Sequence, residues 1–358
     1  MAPLDWGLGH ATRCVPLINE LLRQDCEVLL AGEGKQKALL QKEFPQLRFL
    51  HLSGYNINYA SSGWGTATKI VAQIPKIFSA IREEQGWLQK VVEEEKISAV
   101  ISDNRYGLHH PLIASVFITH QLRIKAPITF VEAVLQDRNY RYINRFNECW
   151  VPDAEGAINL AGALSHPVEL PAIPVRYIGN LSRFKSAEPN ASSGDLLVLL
   201  SGPEPQRTLL EQQLLKELME YRKPVTFIRG LPASTGEVSK PENVSVYNHL
   251  PAAELERKIK TASLIIARCG YSTVMDLAAL KKRSILIPTP GQTEQEYLAR
   301  HLMQNNFALC IEQKKLRLKQ AISLAENFPY QFPPTSSTVL EQTVLAFVTQ
   351  LKAKKNFL

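Results

Sequence analysis

Short apolar runs rich in β-branched residues recur along the chain, separated by longer stretches with helical spacing. Runs at 26–31 (CEVLLA), 97–102 (ISAVIS), 115–119 (SVFIT), 147–151 (NECWV), 195–200 (DLLVLL), 224–228 (PVTFI), 264–267 (LIIA) and 284–288 (SILIP) predict strands. Between them, 10–23 sets Cys14, Leu17, Ile18, Leu21 and Leu22 on one helical face, and 68–95 and 253–262 keep the same period. Alternation of strand and helix implies parallel sheets covered on both faces.

The alternation breaks once. Residues 184–194 (FKSAEPNASSG) are polar and rich in Ser, Pro and Gly, and a fresh apolar strand starts at Asp195. This predicts a linker between two Rossmann-like α/β domains, 1–183 and 195–332. The stretch 333–337 (PPTSS) then precedes a last helix over 338–353. The start is unusual, because only MAPL is available for a first strand, against roughly five or six residues in an ordinary one. Either that strand is very short or the natural start lies upstream.

Composition narrows the class. A chain of 358 residues has room for two domains of ordinary size, and 45% hydrophobic against 21% charged residues describes a packed globular protein. No apolar run approaches the roughly 20 residues of a membrane span, and no secretory signal is evident, so a cytoplasmic location is expected. Cys14, Cys26, Cys149, Cys269 and Cys310 are scattered and never form C-x-x-C, which argues against a disulfide scaffold or a zinc site. A net charge of +7 fits an unspecialised basic surface, an anionic substrate, an anionic membrane face or nucleic acid. No nucleic-acid motif supports the last, and no metal or cofactor is implied.

Residues 7–13 read GLGHATR. Gly7 and Gly9 permit positive φ and close backbone approach, at a place where a strand hands over to a helix and N–H groups attract anions. Two readings stand: a plain turn, or an anion cradle beside a titratable group. The dinucleotide fingerprint G-x-G-x-x-G is excluded, because Thr12 stands where its third glycine is needed. His10 has the chemistry of a general base near neutral pH. Its expected partner is Asp103, since the carboxyl ends of neighbouring parallel strands open on one crevice. An aspartate there orients the ring and stabilises its charged form. The plain alternative is that Asp103, Asn104 and Gly107 only make a turn. His120, after the next strand, points at the same crevice. Gly7, Gly9, Asn104 and His120 are the expected acceptor side.

Residues 264–303 make a compact βαβα unit: the strand LIIA, the turn 268–272, a helix from Thr273, the strand SILIP, the loop TPGQ and a helix from Glu294. Both helices open T-x-x-acid, Thr273…Asp276 and Thr293…Glu296, the form of a capping box. The first-turn N–H groups also suit a diphosphate, with the acid one turn in placed for ribose hydroxyls.

Here the chain resembles a known family. RCGYSTVMD (268–276) followed by IPTPGQTEQ (287–295) is similar to the donor-binding unit of family 28, MurG-like glycosyltransferases. GLGH (7–10), THQ (119–121), WVPD (150–153) and GNLSR (179–183) follow in the family's order, so the match spans most of the chain. The resemblance implies a GT-B fold: two Rossmann-like domains with a cleft between them, and a C-terminal segment, 333–358, crossing back to the first. By it, Gly270, Ser272 and Thr273 contact the diphosphate of a UDP-sugar and Asp276 the ribose. Gln295, with Glu296 beside it, meets the sugar, and Arg183 the phosphate side. His10 is then the base and Asp103 its support. The chain departs from the family where Asp276 replaces a longer glutamate, Glu296 a common second glutamine, and Pro203 in SGPEPQR (201–207) a binding serine. The acceptor side, 51–68 included, lacks the family pattern, so no acceptor is carried over.

The expected activity is inverting transfer of a sugar, of N-acetylhexosamine type, from a UDP-sugar to an unknown glycan, lipid or small molecule of the bacterial cell envelope. The chain has no D-x-D, so a metal-independent reaction is expected. Charge on departing UDP then falls to helix N-termini and to Arg183, Arg268 and Arg207. Two alternatives stay open. G-x-G-H-x-x-R-C also resembles the start of the UDP-sugar hydrolase of pseudaminic acid synthesis, and a nucleotide-sugar-binding protein without chemistry fits the same motifs. Segment 69–87 mixes Ile, Phe and Trp with Lys and Arg. It either lies at an anionic membrane surface, giving a peripheral contact, or packs its apolar face on the first sheet.

Overall fold

The structure, a computed structural model, describes residues 1–55, 74–126, 129–184, 194–231, 236, 238–334 and 338–355. These form two compact units. One takes the chain up to Arg183 together with the last helix, and the other runs from Phe184 to Pro334. Most of the expected linker lies outside the described residues, as does most of 51–68.

The first unit contains β1 (Ala2–Pro3), β2 (Leu30–Gly32), β3 (Phe49–His51), β4 (Ala99–Asp103), β5 (Ala114–Ile118), β6 (Glu148–Val151) and β7 (Val175–Tyr177). Its helices include α1 (Leu8–Arg23), α2 (Gly34–Glu43), α3 (Ile74–Glu95) and α4 (Thr129–Ile143). Five strands run parallel in the order β1-β4-β5-β6-β7, while β2 and β3 pair apart. The break has a chemical cause. Met1 bonds to the β2 side: its ammonium donates to the Leu29 carbonyl at 2.8 Å, and its carbonyl accepts from the Ala31 N–H at 2.9 Å. Strand alternation turns Pro3 to the same side, and proline has no N–H to continue the ladder. On the other side the ladder goes on, with the Leu4 N–H donating to the Asp103 carbonyl at 3.0 Å. The apolar face of α3 is turned inward: Leu88 packs with Ala2, Val100 and Leu108, and Ile81 with Leu4 and Tyr55. That is the packing alternative for segment 69–87, of which 69–73 lie outside the described residues.

The second unit holds one parallel sheet of β8 (Leu196–Leu199), β9 (Val225–Ile228), β10 (Val244–Tyr247), β11 (Leu264–Arg268), β12 (Ser284–Ile287) and β13 (Leu309–Cys310). Its helices are α5 (Gln206–Leu218), α6 (Ala252–Thr261), α7 (Tyr271–Ala279), α8 (Thr293–Gln304) and α9 (Leu318–Asn327). The strand order is β10-β9-β8-β11-β12-β13, so the winding reverses between β8 and β11. Ligands of such sheets bind outside the carboxyl ends of the strands at that point. The core joins Val198, Phe227, Ile266 and Ile285 of the strands to Leu210 and Leu214 of α5 and Ala321 and Ala325 of α9.

The last helix, α10 (Thr338–Lys355), belongs to the first unit. Phe347 meets the fully buried Trp150 of β6 edge-on, with ring centroids 5.3 Å apart. No helix of the described residues is long and apolar enough to cross a membrane.

Candidate active site

The winding of the first sheet reverses between β1 and β4. Pro3 is in register with Asp103, so the turns leaving the two strands open on one edge. Gly7 is the N-cap of α1 at φ 94°, and a Cβ there would meet nothing within 4 Å; conformation rather than crowding asks for glycine. His10 follows in the first turn of α1, with Nδ1 3.2 Å from Asp103 Oδ2. The Asp103 side chain has 0% exposure, whereas His10 keeps 15%. All the hydrogen bonds of the His10 ring run through Nδ1, leaving Nε2 uncommitted among the described residues.

Arg13, one turn on and buried, organises the rest. Its Nε donates to Asp103 Oδ2 at 2.9 Å, its Nη2 to Asp103 Oδ1, and its Nη1 to Nδ1 of buried His120 at 3.1 Å. Its Nη2 also lies 3.0 Å from His10 Nδ1. The tautomer of His10 therefore decides its partner. With the proton on Nδ1 it donates to Asp103, and only then does Nε2 carry the lone pair a base needs. Burial opposes the charge on Asp103, but Arg13 and then His10 outweigh it and hold the carboxyl well below the usual carboxylate range. Cys14 Sγ lies 3.7 Å from the same oxygen; burial and the charge of Asp103 push its thiol up, so it stays protonated.

The turn after β4 is itself clamped. Asn104 sits at φ 58° and its N–H donates to the Ile118 carbonyl at 3.1 Å. A Cβ on Gly107 would fall 2.3 Å from the Ile81 carbonyl oxygen. Buried Glu84 accepts from the Gly107 N–H at 2.8 Å, the Tyr55 hydroxyl at 2.9 Å and Arg105 Nε at 2.7 Å. The turn reading of Asp103-Asn104-Gly107 and its pairing with His10 thus hold together. Asp153 of WVPD acts locally, its carboxylate accepting from the N–H groups of Ala154, Leu160 and Ala161, each at 2.9 Å.

In the second unit β11 ends at Arg268, and Gly270 is the N-cap of α7. Gly270 has φ −81°, and a Cβ on it would meet nothing within 4 Å. Neither conformation nor packing requires glycine there. The two expected capping boxes are not formed. α7 starts at Tyr271 and α8 at Thr293, so both threonines stand inside their helices; the caps are Gly270 and Gln292, and neither makes a side-chain cap bond. Ser272, Thr273 and Asp276 share a half-buried face of α7. The helical ladder begins at Val274, whose N–H donates to the Gly270 carbonyl at 3.0 Å, so the N–H groups of Tyr271, Ser272 and Thr273 lie outside it. Gln295 and Glu296 reach back to the TPGQ loop. Gln295 Oε1 accepts from the Thr289 N–H and Glu296 Oε1 from the Gly291 N–H, both at 2.9 Å.

Two of the expected cations differ from the sequence reading. Arg268 is enclosed: Nη1 donates to Gln313 Oε1 at 2.9 Å and Nη2 to the Gln206 carbonyl at 2.5 Å, with no carboxylate partner among the described residues. Burial lowers its pKa to about 10. Its Nε and Thr289 Oγ1 are buried without a partner. Arg207 offers no charge to a ligand, because Glu204 and Glu211 neutralise it, the latter at 2.6 Å. Arg183, at the end of the first unit, is half-buried.

Residues 209–347 match the glycosyltransferase family 28 C-terminal domain. Over 335 residues the chain is 21% identical to the UDP-N-acetylglucosamine--N-acetylmuramyl-(pentapeptide) pyrophosphoryl-undecaprenol N-acetylglucosamine transferase of Haemophilus influenzae (strain PittGG), covering 89% of this chain and 86% of that one. The protein of the same name from Acidiphilium cryptum (strain JF-5) is 23% identical over 311 residues, covering 85% and 81%. Among solved structures, MurG of Acinetobacter baumannii aligns with a TM-score of 0.54 at 13% identity over 98% of both chains. The glycosyltransferase SnogD from Streptomyces nogalater gives 0.57 at 16% identity over 98% of this chain and 97% of that one. The chain is a MurG-like glycosyltransferase of the GT-B fold. The family 28 match of this glycosyltransferase takes in α7, α8 and the loop between β12 and α8, the segment that carries RCGYSTVMD and IPTPGQTEQ.

Proposed function

We propose that this glycosyltransferase moves a sugar from a UDP-sugar to an acceptor hydroxyl with inversion, His10 serving as the base. The observation that carries the reading is the His10–Asp103 pair at 3.2 Å, with Nε2 uncommitted. With Nδ1–H donating to Asp103, Nε2 takes the acceptor proton as the acceptor oxygen bonds to the anomeric carbon. The bond to the UDP oxygen breaks on the opposite face, and UDP departs with the electron pair. Asp103 stabilises the resulting imidazolium, and Arg13 keeps Asp103 ionised.

On the donor side, Gly270, Ser272 and Thr273 hold the diphosphate, Asp276 the ribose, Gln295 and Glu296 the sugar, and Arg183 the phosphate side. Arg268 acts from behind the loop through its field. Charge-assisted bonds of this kind contribute about 1.5–3 kcal/mol each. No D-x-D triplet is present, so these groups take up the charge of the leaving UDP without a metal. An N-acetylhexosamine is the favoured sugar, because N-acetylglucosamine stands in the names of the relatives. The acceptor is a glycan, lipid or small molecule. Peripheral contact with an anionic membrane is favoured by the net charge of +7 and by exposed Phe130 and Val134 on α4; liposome flotation tests it.

His10→Ala is expected to lower kcat by roughly 10²–10⁴-fold while UDP binding, followed by calorimetry, stays as in wild type. Unchanged turnover would move the base elsewhere. The same pair suits activation of water, so a UDP-sugar hydrolase is the second reading. Rapid release of free sugar from UDP-sugars incubated without acceptor would select it, and UDP binding with no turnover of any kind would leave a binding protein.

A further inference from the structure

Trp6 stands apart from the other described tryptophans. Trp150 is fully buried and Trp87 packs against the core of the first sheet, whereas Trp6 is 41% exposed. Its indole makes no hydrogen bond or ring contact among the described residues. Part of a large apolar face therefore meets solvent, and its N–H donor has no protein acceptor, although buried tryptophans ordinarily find one. The backbone beneath the ring is fixed on three sides. The Gly7 N–H donates to the Asp5 carbonyl at 2.8 Å, closing a tight turn with Trp6 at its tip. Asp5 Oδ1 accepts from the Tyr55 N–H at 3.0 Å, and a Cβ on Gly54 would fall 2.5 Å from Asp5 Oδ2, so a glycine there lets the two segments meet. The Gly7 carbonyl accepts from Nε2 of buried Gln36 at 3.1 Å. An unpartnered ring displayed on a clamped turn is the arrangement of a preorganised contact.

The same turn leads into the helix that carries His10. Pro3 is in register with Asp103 and the Leu4 N–H donates to the Asp103 carbonyl, so Trp6 leaves the sheet edge at which the Asp103 side chain holds His10. Four residues separate Trp6 from His10, which keeps their Cα atoms within about 14 Å even for extended chain, and the helix that begins at Leu8 shortens that span. Carboxylates flank the turn: Asp5 itself, and Glu33, whose Oε1 accepts from the Gly54 N–H at 2.7 Å. They repel an anionic group beside the ring, and polar surroundings of this kind do not suit a bare hydrocarbon chain. A neutral pyranose meets both conditions, with C–H groups on one face for the indole and hydroxyls at its rim for the polar neighbours. We propose that Trp6 is the platform on which a neutral pyranose ring of the acceptor stacks, so that the acceptor is a glycan. This rests on the reading of His10 as the base: the stacked sugar presents a hydroxyl to His10 Nε2.

The test uses the full chain, with and without UDP. The probes are the methyl glycosides of glucose, galactose, mannose and N-acetylglucosamine, with phenol as an aromatic control, and binding is read by calorimetry and tryptophan emission. Wild type is expected to bind at least one glycoside with a change in emission. Trp6→Ala is expected to weaken that binding roughly ten- to thirty-fold, the cost of truncating a tryptophan that carries a contact. Trp6→Phe, which keeps a ring face and loses the N–H, is expected to weaken it less. UDP affinity and the thermal midpoint of both variants are expected to stay at wild-type values, which separates a contact with the sugar from a role in the fold. The proposal is overturned if wild type binds none of the glycosides, if it binds phenol alone, or if Trp6→Ala binds as tightly as wild type. Those results leave UDP binding and the effect of His10→Ala on turnover untouched, so the transferase reading survives them. A wild type that binds no UDP, yet binds a glycoside through Trp6, would instead count against the donor assignment and uphold the platform.

Discussion

Replacing Arg13 by methionine tests the electrostatics of the first site through stability alone. Arg13 donates twice to a carboxylate with 0% exposure and is itself only 2% exposed. Methionine keeps most of the volume and removes the charge, so Asp103 retains only His10 and the weak thiol donor Cys14. Removing one partner of a buried ion pair costs about 3–5 kcal/mol, a large share of a typical total of about 5–15 kcal/mol. The pH dependence has a definite sign. In wild type the folded carboxyl is held below its unfolded value. Its contribution is therefore present above the ordinary carboxylate range, near about 3.9, and lost as pH falls through the folded value. Without Arg13, burial dominates and the folded value rises above the unfolded one, so the variant gains stability as pH falls. The gap between the two proteins should be widest near neutrality and close toward acid, by up to about 1.4 kcal/mol per pH unit. Urea titrations followed by tryptophan fluorescence measure this. Trp6, Trp87 and Trp150 lie in the unit that holds the pair, and the described residues of the other unit contain no tryptophan. A pH-independent gap, or one under about 1 kcal/mol, would refute the reasoning.

Other consequences are as direct. Gly270→Ser gives α7 a better N-cap at a position with room for a Cβ, so the thermal midpoint should hold or rise slightly. UDP affinity by calorimetry should nevertheless fall at least roughly tenfold, the cost of one lost charge-assisted contact; retained affinity would remove the diphosphate from this turn. Phe347→Ala leaves a cavity against Trp150 and should destabilise the first unit by about 3–5 kcal/mol, with a shifted fluorescence transition as the readout. A change under about 1 kcal/mol, a small value for a core aromatic, would mean that α10 is only loosely held.

The parts of the fold that were legible in the sequence are those whose signal is local. Central strands such as β8, β11 and β12 are continuous apolar runs because both faces are covered. The strands left unread, β3, β7, β10 and β13, are short and partly exposed, with no sustained apolar run to mark them. His10 and Asp103 were legible because parallel topology alone brings their strand ends together. Arg13 was passed over because, one turn into α1, an arginine is ordinarily a solvated side chain, and nothing local shows that Asp103 is what this one turns inward onto. Its signal was a basic residue on the apolar stripe of α1, in step with buried Leu17 and Glu20. Arg268 and Arg207 were assigned to the charge of the departing UDP because sequence shows a charge but not its burial or its neutralising neighbour. The T-x-x-acid pairs failed for a similar reason: the pattern fixes a spacing, whereas the cap is set by where the preceding backbone leaves its extended conformation.

Three glycines beside the candidate sites look alike in the sequence and differ in cause. Gly7 is demanded by its positive φ, and Gly107 by a carbonyl that a Cβ would strike. Both are explained by the folded chain itself. Gly270 is not: its backbone is one any residue adopts, the space beside it is open, and serine, aspartate or asparagine would cap the helix better. A residue that is suboptimal for its own fold, at the winding reversal of a parallel sheet, is accounted for most simply by something outside the chain that must come close to its backbone. A diphosphate seated on the N-terminus of α7 has that shape and that charge, and this is why the donor assignment rests more firmly on the absence of a side chain at residue 270 than on the cations around it.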